Sequence, residues 1–176
     1  MKRFPVSALR SVALNVPDLA AAEQFYTSIW ALDVADRGRD TVYLRATGDD
    51  HHVLALHLGD RPQLRSVTFR AASADDLERV ATAAAVHGCR ILSGPSRNDD
   101  PDGGTALAIR DPRSAIRELR GGVLRFVYGD RQHPDARMVG GRPFRLAHVN
   151  VNSSDVAATV SFYDCLLYTS PSPRDS

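Results

Sequence analysis

Apolar and polar residues alternate near the start of the chain, and the alternation returns twice. Leu9-Arg10-Ser11-Val12-Ala13-Leu14 reappears as Leu64-Arg65-Ser66-Val67-Thr68-Phe69, 55 residues on from Ser11 to Ser66. It reappears again as Leu146-Ala147-His148-Val149-Asn150-Val151, 137 residues on from Ser11 to His148. A period of two over such a run predicts a half-buried strand. After each copy the period changes to that of a helix. Asp18 can cap a helix whose Leu19, Ala22, Tyr26 and Ile29 share one face. Ser73 can cap a second, with Leu77, Val80, Ala81 and Ala84 as its stripe and Gly88 as its stop. Asp155 leads into a third through Val156, Val160 and Tyr163, and Phe25-Tyr26 and Phe162-Tyr163 coincide at the same spacing of 137.

Further strands are expected between the helices. Thr41 to Arg45 and Val53 to Leu58 flank the turn cluster Thr47-Gly48-Asp49-Asp50. Cys89 to Ser93, Thr105 to Arg110 and Ser114 to Leu119 follow the second helix, punctuated by Asn98 to Gly104 and by Asp111-Pro112. Each unit therefore reads as strand, helix and about three strands. One such unit leaves sheet edges and an apolar helix stripe uncovered, so two must pack together. The expected fold class is α+β, with paired βαβββ modules at 1–60 and 61–128 forming one domain. Residues 129–143, with Gly140-Gly141 and two prolines, are expected to be a linker. Residues 144–164 would begin a further domain with its first βα.

Charge narrows the partners. The 176 residues carry 22 Lys and Arg against 21 Asp and Glu, a net charge of +1 without a basic stripe. Neither nucleic acid nor an anionic membrane is an expected partner. Mean hydropathy is −0.25 and no apolar run approaches a membrane span. Met1-Lys2-Arg3 does not open a signal peptide, because Arg10 interrupts the apolar stretch and no small-residue cleavage site follows. Cys89 and Cys165 make neither a disulfide framework nor a metal-ligand spacing. A cytoplasmic location is expected.

Every basic residue except Lys2 is arginine, and alanine is abundant up to Ala158, both habits of a GC-rich bacterial genome. Residues Cys165 to Ser176 contain no alanine and no periodicity. Cys165 through Asp175 match the translation of a transposase sequencing adapter without a mismatch. The expectation is that 165–176 are non-native and disordered, the protein's own sequence stopping near Asp164.

The unit starts "VALNVPDLAAAEQFY" and "HVNVNSSDVAATVSFY" resemble the vicinal oxygen chelate superfamily of glyoxalase I, bleomycin-resistance proteins and type I extradiol ring-cleaving dioxygenases. "VYLRATGDDHHVLALHL" is similar to the amino-terminal domain of catechol 2,3-dioxygenase-like enzymes, and "RPFRLAHVNVNSSD" to the join into their catalytic domain. The resemblance implies a metal-free first domain of two units and an iron-binding second domain of two more. It implies Fe(II) on two histidines and one carboxylate, with a catechol-type aromatic diol and O₂ as substrates; a homo-oligomer is compatible. Superfamily ligands come from the first strand of a unit and a late strand. The first-strand positions here are Ser11, Ser66 and His148. Serine is a poor ligand for a transition metal, whereas imidazole suits Fe(II). The resemblance thus implies no metal in 1–128 and makes His148 the first iron ligand of the parent. Strand parity puts His148, Asn150 and Asn152 on one face. With one ligand of three, this chain is expected to bind no iron and to cleave no ring. Two alternatives are a metal-free small-molecule binding module like the drug-sequestering members, and a glyoxalase-type isomerase, which the two serines disfavour.

The other histidines read as structural or surface residues. His51 and His57 would lie six strand residues apart, about 20 Å, with His52 on the opposite face, so no pair could share a metal. His87 reads as a helix-end residue beside Gly88. "DPRSAIREL" resembles a family turn and strand whose Glu is a late-strand ligand, but Glu118 is expected to pair with Arg113, Arg117 or Arg120 instead.

Overall fold

The computed structural model describes residues 5–110, 123–150, 153 and 155–167. The first half runs β1 (Val6–Val16), α1 (Leu19–Ser28), β2 (Asp33–Arg37), β3 (Thr41–Arg45) and β4 (Leu54–Leu58). The second runs β5 (Gln63–Ala71), α2 (Ala74–Val86), β6 (Arg90–Arg97), β7 (Thr105–Arg110) and β8 (Val123–Tyr128), before α3 (Val156–Leu167). The fold is α+β, as expected. One eight-stranded sheet has the order β2-β3-β4-β1-β5-β8-β7-β6. Its halves repeat each other: β1 pairs with β4 in parallel and β5 with β8 in parallel, while β1 and β5 meet antiparallel at the centre.

The helix ends follow from local chemistry. Asp18 Oδ1 accepts from Ala21 N at 2.9 Å, and Ser73 Oγ accepts from Asp76 N at 3.2 Å, satisfying amides the helices leave unpaired. Gly88 sits at φ +73°, donating to Ala85 O while Cys89 donates to Ala84 O. These two bonds are the paired closure that a left-handed residue after a helix allows.

Alternation then sorts the strands' side chains. Val67 and Phe69 of β5, Leu107 and Ile109 of β7, and Leu124 and Phe126 of β8 pack with Leu77, Val80 and Ala84 of α2. Leu54 and Leu56 of β4 pack with Val42, Leu44 and the α1 residues Leu19, Ala22 and Tyr26. The helices cover one face, and the other is left with small and polar residues. No described helix is long and apolar enough to cross a membrane.

Four expectations change. The last strand of the second half is β8, 123–128, which sequence pattern did not single out; Ser114 to Leu119, with Glu118, lie outside the described residues. The third copy, Leu146 to Asn150, forms no strand. In each half the first strand pairs with the fourth strand of its own unit, and the third unit has no such strand among the described residues. Cys165 to Leu167 continue α3, and Leu166 is fully buried in the α2 core, so the expected disorder does not begin at 165. Residues 168–176 lie outside the described residues. Residues 129–143 are strapped to the first half: Thr47 N donates to Pro143 O, Arg137 N to Thr47 O and His133 N to Asp49 O.

Candidate functional site

The helix-free face of the central strands lines a cavity of about 500 Å³. Its floor is low because β1 presents Ser11 and Ala13, β4 presents Ala55, and β5 presents Ser66 and Thr68. Larger polar groups stand around it: Asn15, His57, Arg65, Arg110, Asp100 and Arg125. Arg125 Nη1 donates to Asp100 Oδ2 at 2.6 Å and Nη2 to Asn98 Oδ1 at 2.8 Å. The cavity side of β8 therefore carries a cation. Burial, then Asp100, pushes the Tyr43 hydroxyl up to about 12. His57 is held below its ordinary value by burial and then by the charge of Arg65.

Behind the cavity lies a buried charge network that sequence reading missed. Arg10 is fully buried. It is the extra residue of a bulge, because Leu9 pairs with Phe69 and Ser11 with Thr68. A bulge re-aims a side chain that alternation would send elsewhere. The guanidinium donates to Asp102, to Asp130 at 3.2 Å and to Ser11 Oγ at 2.9 Å. Arg70 donates to Asp130 at 2.8 Å and lies 2.9 Å from Asp50. Burial raises the Asp50 and Asp102 carboxyls above their usual range. Asp130 is buried too, which alone would raise it, but hydrogen bonds and charge from Arg70 and Arg10 hold it below.

His51 and His52 are corrected here. They precede β4 in a turn, so strand parity does not separate them, and their Nδ1 atoms lie 3.1 Å apart. Both are buried, and with Asp102 they bring three ligand atoms within 4.8 Å of one another. The donor types suit a divalent metal, yet Arg10 Nη1 is 2.8 Å from His52 Nε2 and the same guanidinium bonds Asp102. Like charges at such range repel by about 4 kcal/mol per unit charge even at an effective dielectric of 20. Arg10 already serves as the cluster's cation, and a metal does not fit. Burial, then Arg10, keeps His52 neutral, well below its ordinary pKa. The cavity floor fits a metal no better, with Ser11 and Ser66 at the first-strand positions and Arg125 on β8.

His148 is exposed on the extended segment before α3. Among the described residues it gathers with no other His, Cys, Asp or Glu; the one such group is His51, His52 and Asp102.

A sheet of two βαβββ halves around an open, polar-floored cavity defines the class. The chain belongs to the Glyoxalase/Bleomycin resistance protein/Dioxygenase superfamily, whose signature matches residues 8–116. It is 33% identical over 81 residues to the manganese-dependent 2,3-dihydroxybiphenyl 1,2-dioxygenase of Geobacillus genomosp. 3, covering 46% of this chain and 26% of that protein. The Mn(II)-bound glyoxalase of Novosphingobium aromaticivorans superposes with a TM-score of 0.85 at 22% identity, over 94% of this chain and 54% of that one. Homoprotocatechuate 2,3-dioxygenase of Brevibacterium fuscum superposes at 0.78 and 24% identity, over 94% and 46%. These two structures establish the fold. The chain spans about half the length of the structures it matches.

Proposed function

We propose that this chain is the amino-terminal part of an extradiol dioxygenase that cleaves a catechol-type aromatic diol with O₂. In this reading 1–128 is the metal-free domain, 129–143 joins it to the next, and 144–164 opens the domain that holds Fe(II). The single observation that carries it is the distribution of first-strand residues. Serine occupies the position in both halves of an otherwise intact sheet, and the first imidazole, His148, comes with the third copy. The manganese-dependent dioxygenase named among the relatives supports ring cleavage at a divalent metal; the choice of Fe(II) rests on the family resemblance. Two imidazoles and one carboxylate hold Fe(II) while leaving positions for two diol oxygens and O₂. His148 supplies one of those three ligands, so this chain alone binds no stoichiometric iron and is inactive. Arginine and alanine usage supports a bacterial protein, the two cysteines without a disulfide framework support a cytoplasmic one, and residues 165–176 are assigned to adapter-encoded sequence.

The uninterrupted gene tests this. If the second domain repeats the first, a histidine follows His148 near position ~203 and a carboxylate falls near ~255, each within about ten residues. A stop codon soon after Asp164, or a second domain without that pair, overturns the assignment in favour of a metal-free binding module.

A further inference from the structure

The described walls of the cavity carry a charge imbalance. Among the described residues three guanidinium groups line it, from Arg65, Arg110 and Arg125, against one carboxylate, Asp100. Register places two of them together. Arg110 pairs with Val123 and Ala108 with Arg125, so Arg110 and Arg125 are diagonal neighbours on β7 and β8. Diagonal residues on one face lie within reach of a common group. They share the helix-free face, because Leu107 and Ile109 point the other way into the α2 core. Asp100 and Asn98 already fix the Arg125 guanidinium. Arg110 is exposed, and neither it nor Arg65 has an ion-pair partner among the described residues. The imidazole of His57, beside them, is held below its ordinary value by burial and then by the charge of Arg65. Beneath the cations the low floor has an apolar part, Ala13, Ala55 and Leu64, beside the hydroxyls of Ser11, Ser66 and Thr68, and the volume of about 500 Å³ is that of a small-molecule site.

We infer that this cavity binds a small organic carboxylate, its anionic end on Arg110 and Arg125 and its apolar body over Ala13, Ala55 and Leu64. The inference concerns the half of the molecule that the ring-cleavage reading leaves without chemistry, and it stands or falls separately from that reading. A carboxylate matches the planar fork of a guanidinium. A dianion such as phosphate would gain the same cations but would lie near Asp100 and leave the apolar part of the floor uncovered.

Calorimetric titration of the full chain with benzoate tests it. Benzamide, with the same body and no charge, and inorganic phosphate, with charge and no body, run in parallel. Benzoate is expected to saturate at one per chain, with the other two weaker by ~10-fold or more, the size of a charge-assisted contact. Arg110→Gln leaves the Arg125–Asp100 pair in place; it is expected to weaken benzoate ~10-fold while thermal unfolding is unchanged. Benzamide binding as well as benzoate would overturn the inference, as would phosphate binding as well, absence of saturation, or undiminished benzoate binding by Arg110→Gln.

Discussion

The two halves of the sheet share one strand order, yet they are held together differently. In the second half α2 runs 13 residues and buries Leu77, Val80 and Ala84 completely, and α3 adds Phe162 and Leu166 to the same core. In the first half α1 runs 10 residues and buries none fully; its Phe25 is 48% exposed, and Ile29 and Trp30 just after it are 70% and 54% exposed. Beside its own strand core of Val42, Leu44, Leu54 and Leu56, the first half has a buried turn of Asp50, His51 and His52, and the strap of residues 129–143 bonded to Thr47 and Asp49. The repeat therefore sets topology, while the size of the stripe residues and what lies over them set how each half is stabilised. Arg10 is where the halves meet, since it rises from β1 and holds Asp102 of the second half and Asp130 at the start of the strap.

Removing that meeting point is expected to have the largest effect. Arg10→Met leaves the buried Asp102 without its cation, while Asp130 keeps Arg70, and breaking such a buried pair costs about 3–5 kcal/mol. Urea unfolding measures it. A loss under ~1 kcal/mol would mean that Asp102 finds water or a proton instead, and that apolar packing alone joins the halves.

The helices give the next contrast. Leu77→Ala removes a side chain with no exposed surface and is expected to cost about 2–5 kcal/mol. Leu19→Ala, on the half-covered α1, loses only part of its transfer energy and is expected to cost under ~1.5 kcal/mol. Equal losses in urea unfolding would break the comparison.

What the sequence showed and what it hid divide along the same physical line. The strands β1 and β5, both helix caps and the stop at Gly88 depend on period and on side chains a few residues away, so they were readable. β2 was not singled out, because Asp33–Arg37 has only two apolar residues and no alternation to mark it. The strand expected at 146–151 carried the right pattern but no pairing partner, and pattern alone cannot supply one. The cavity serines were legible from the repeat. The charge network was not, because Arg10 reaches it through a bulge and its acids come from loops 92 and 120 residues away. His51 and His52 were misread because a turn, not a strand, carries them.

Acid is expected to separate the halves by the smallest margin. His51, His52 and His57 all belong to the first half, whereas the second has only His87 at the end of α2. The first three are held below the ordinary value of 6.5, by burial and then by nearby arginines. Below about pH 6.5 the unfolded chain therefore takes up protons that the folded chain refuses, and stability falls until the folded pKa is reached. For the buried His52 the slope is at most about 1.4 kcal/mol per pH unit. Asp50 and Asp102 act in the opposite sense: their folded pKa is raised, so stability is gained on acidification from that raised value down to the unfolded value of 3.8. The interval from pH 6.5 to 5.5 is where the unfolded histidines take up their protons. Native-state hydrogen exchange over that interval, corrected for intrinsic rates, is expected to show β3 and β4 losing more protection than β7 and β8. His52→Gln is expected to reduce the difference, since glutamine does not titrate. Equal loss across both halves would show that the sheet opens as one unit, with acid acting on the junction at Arg10 and not on the first half.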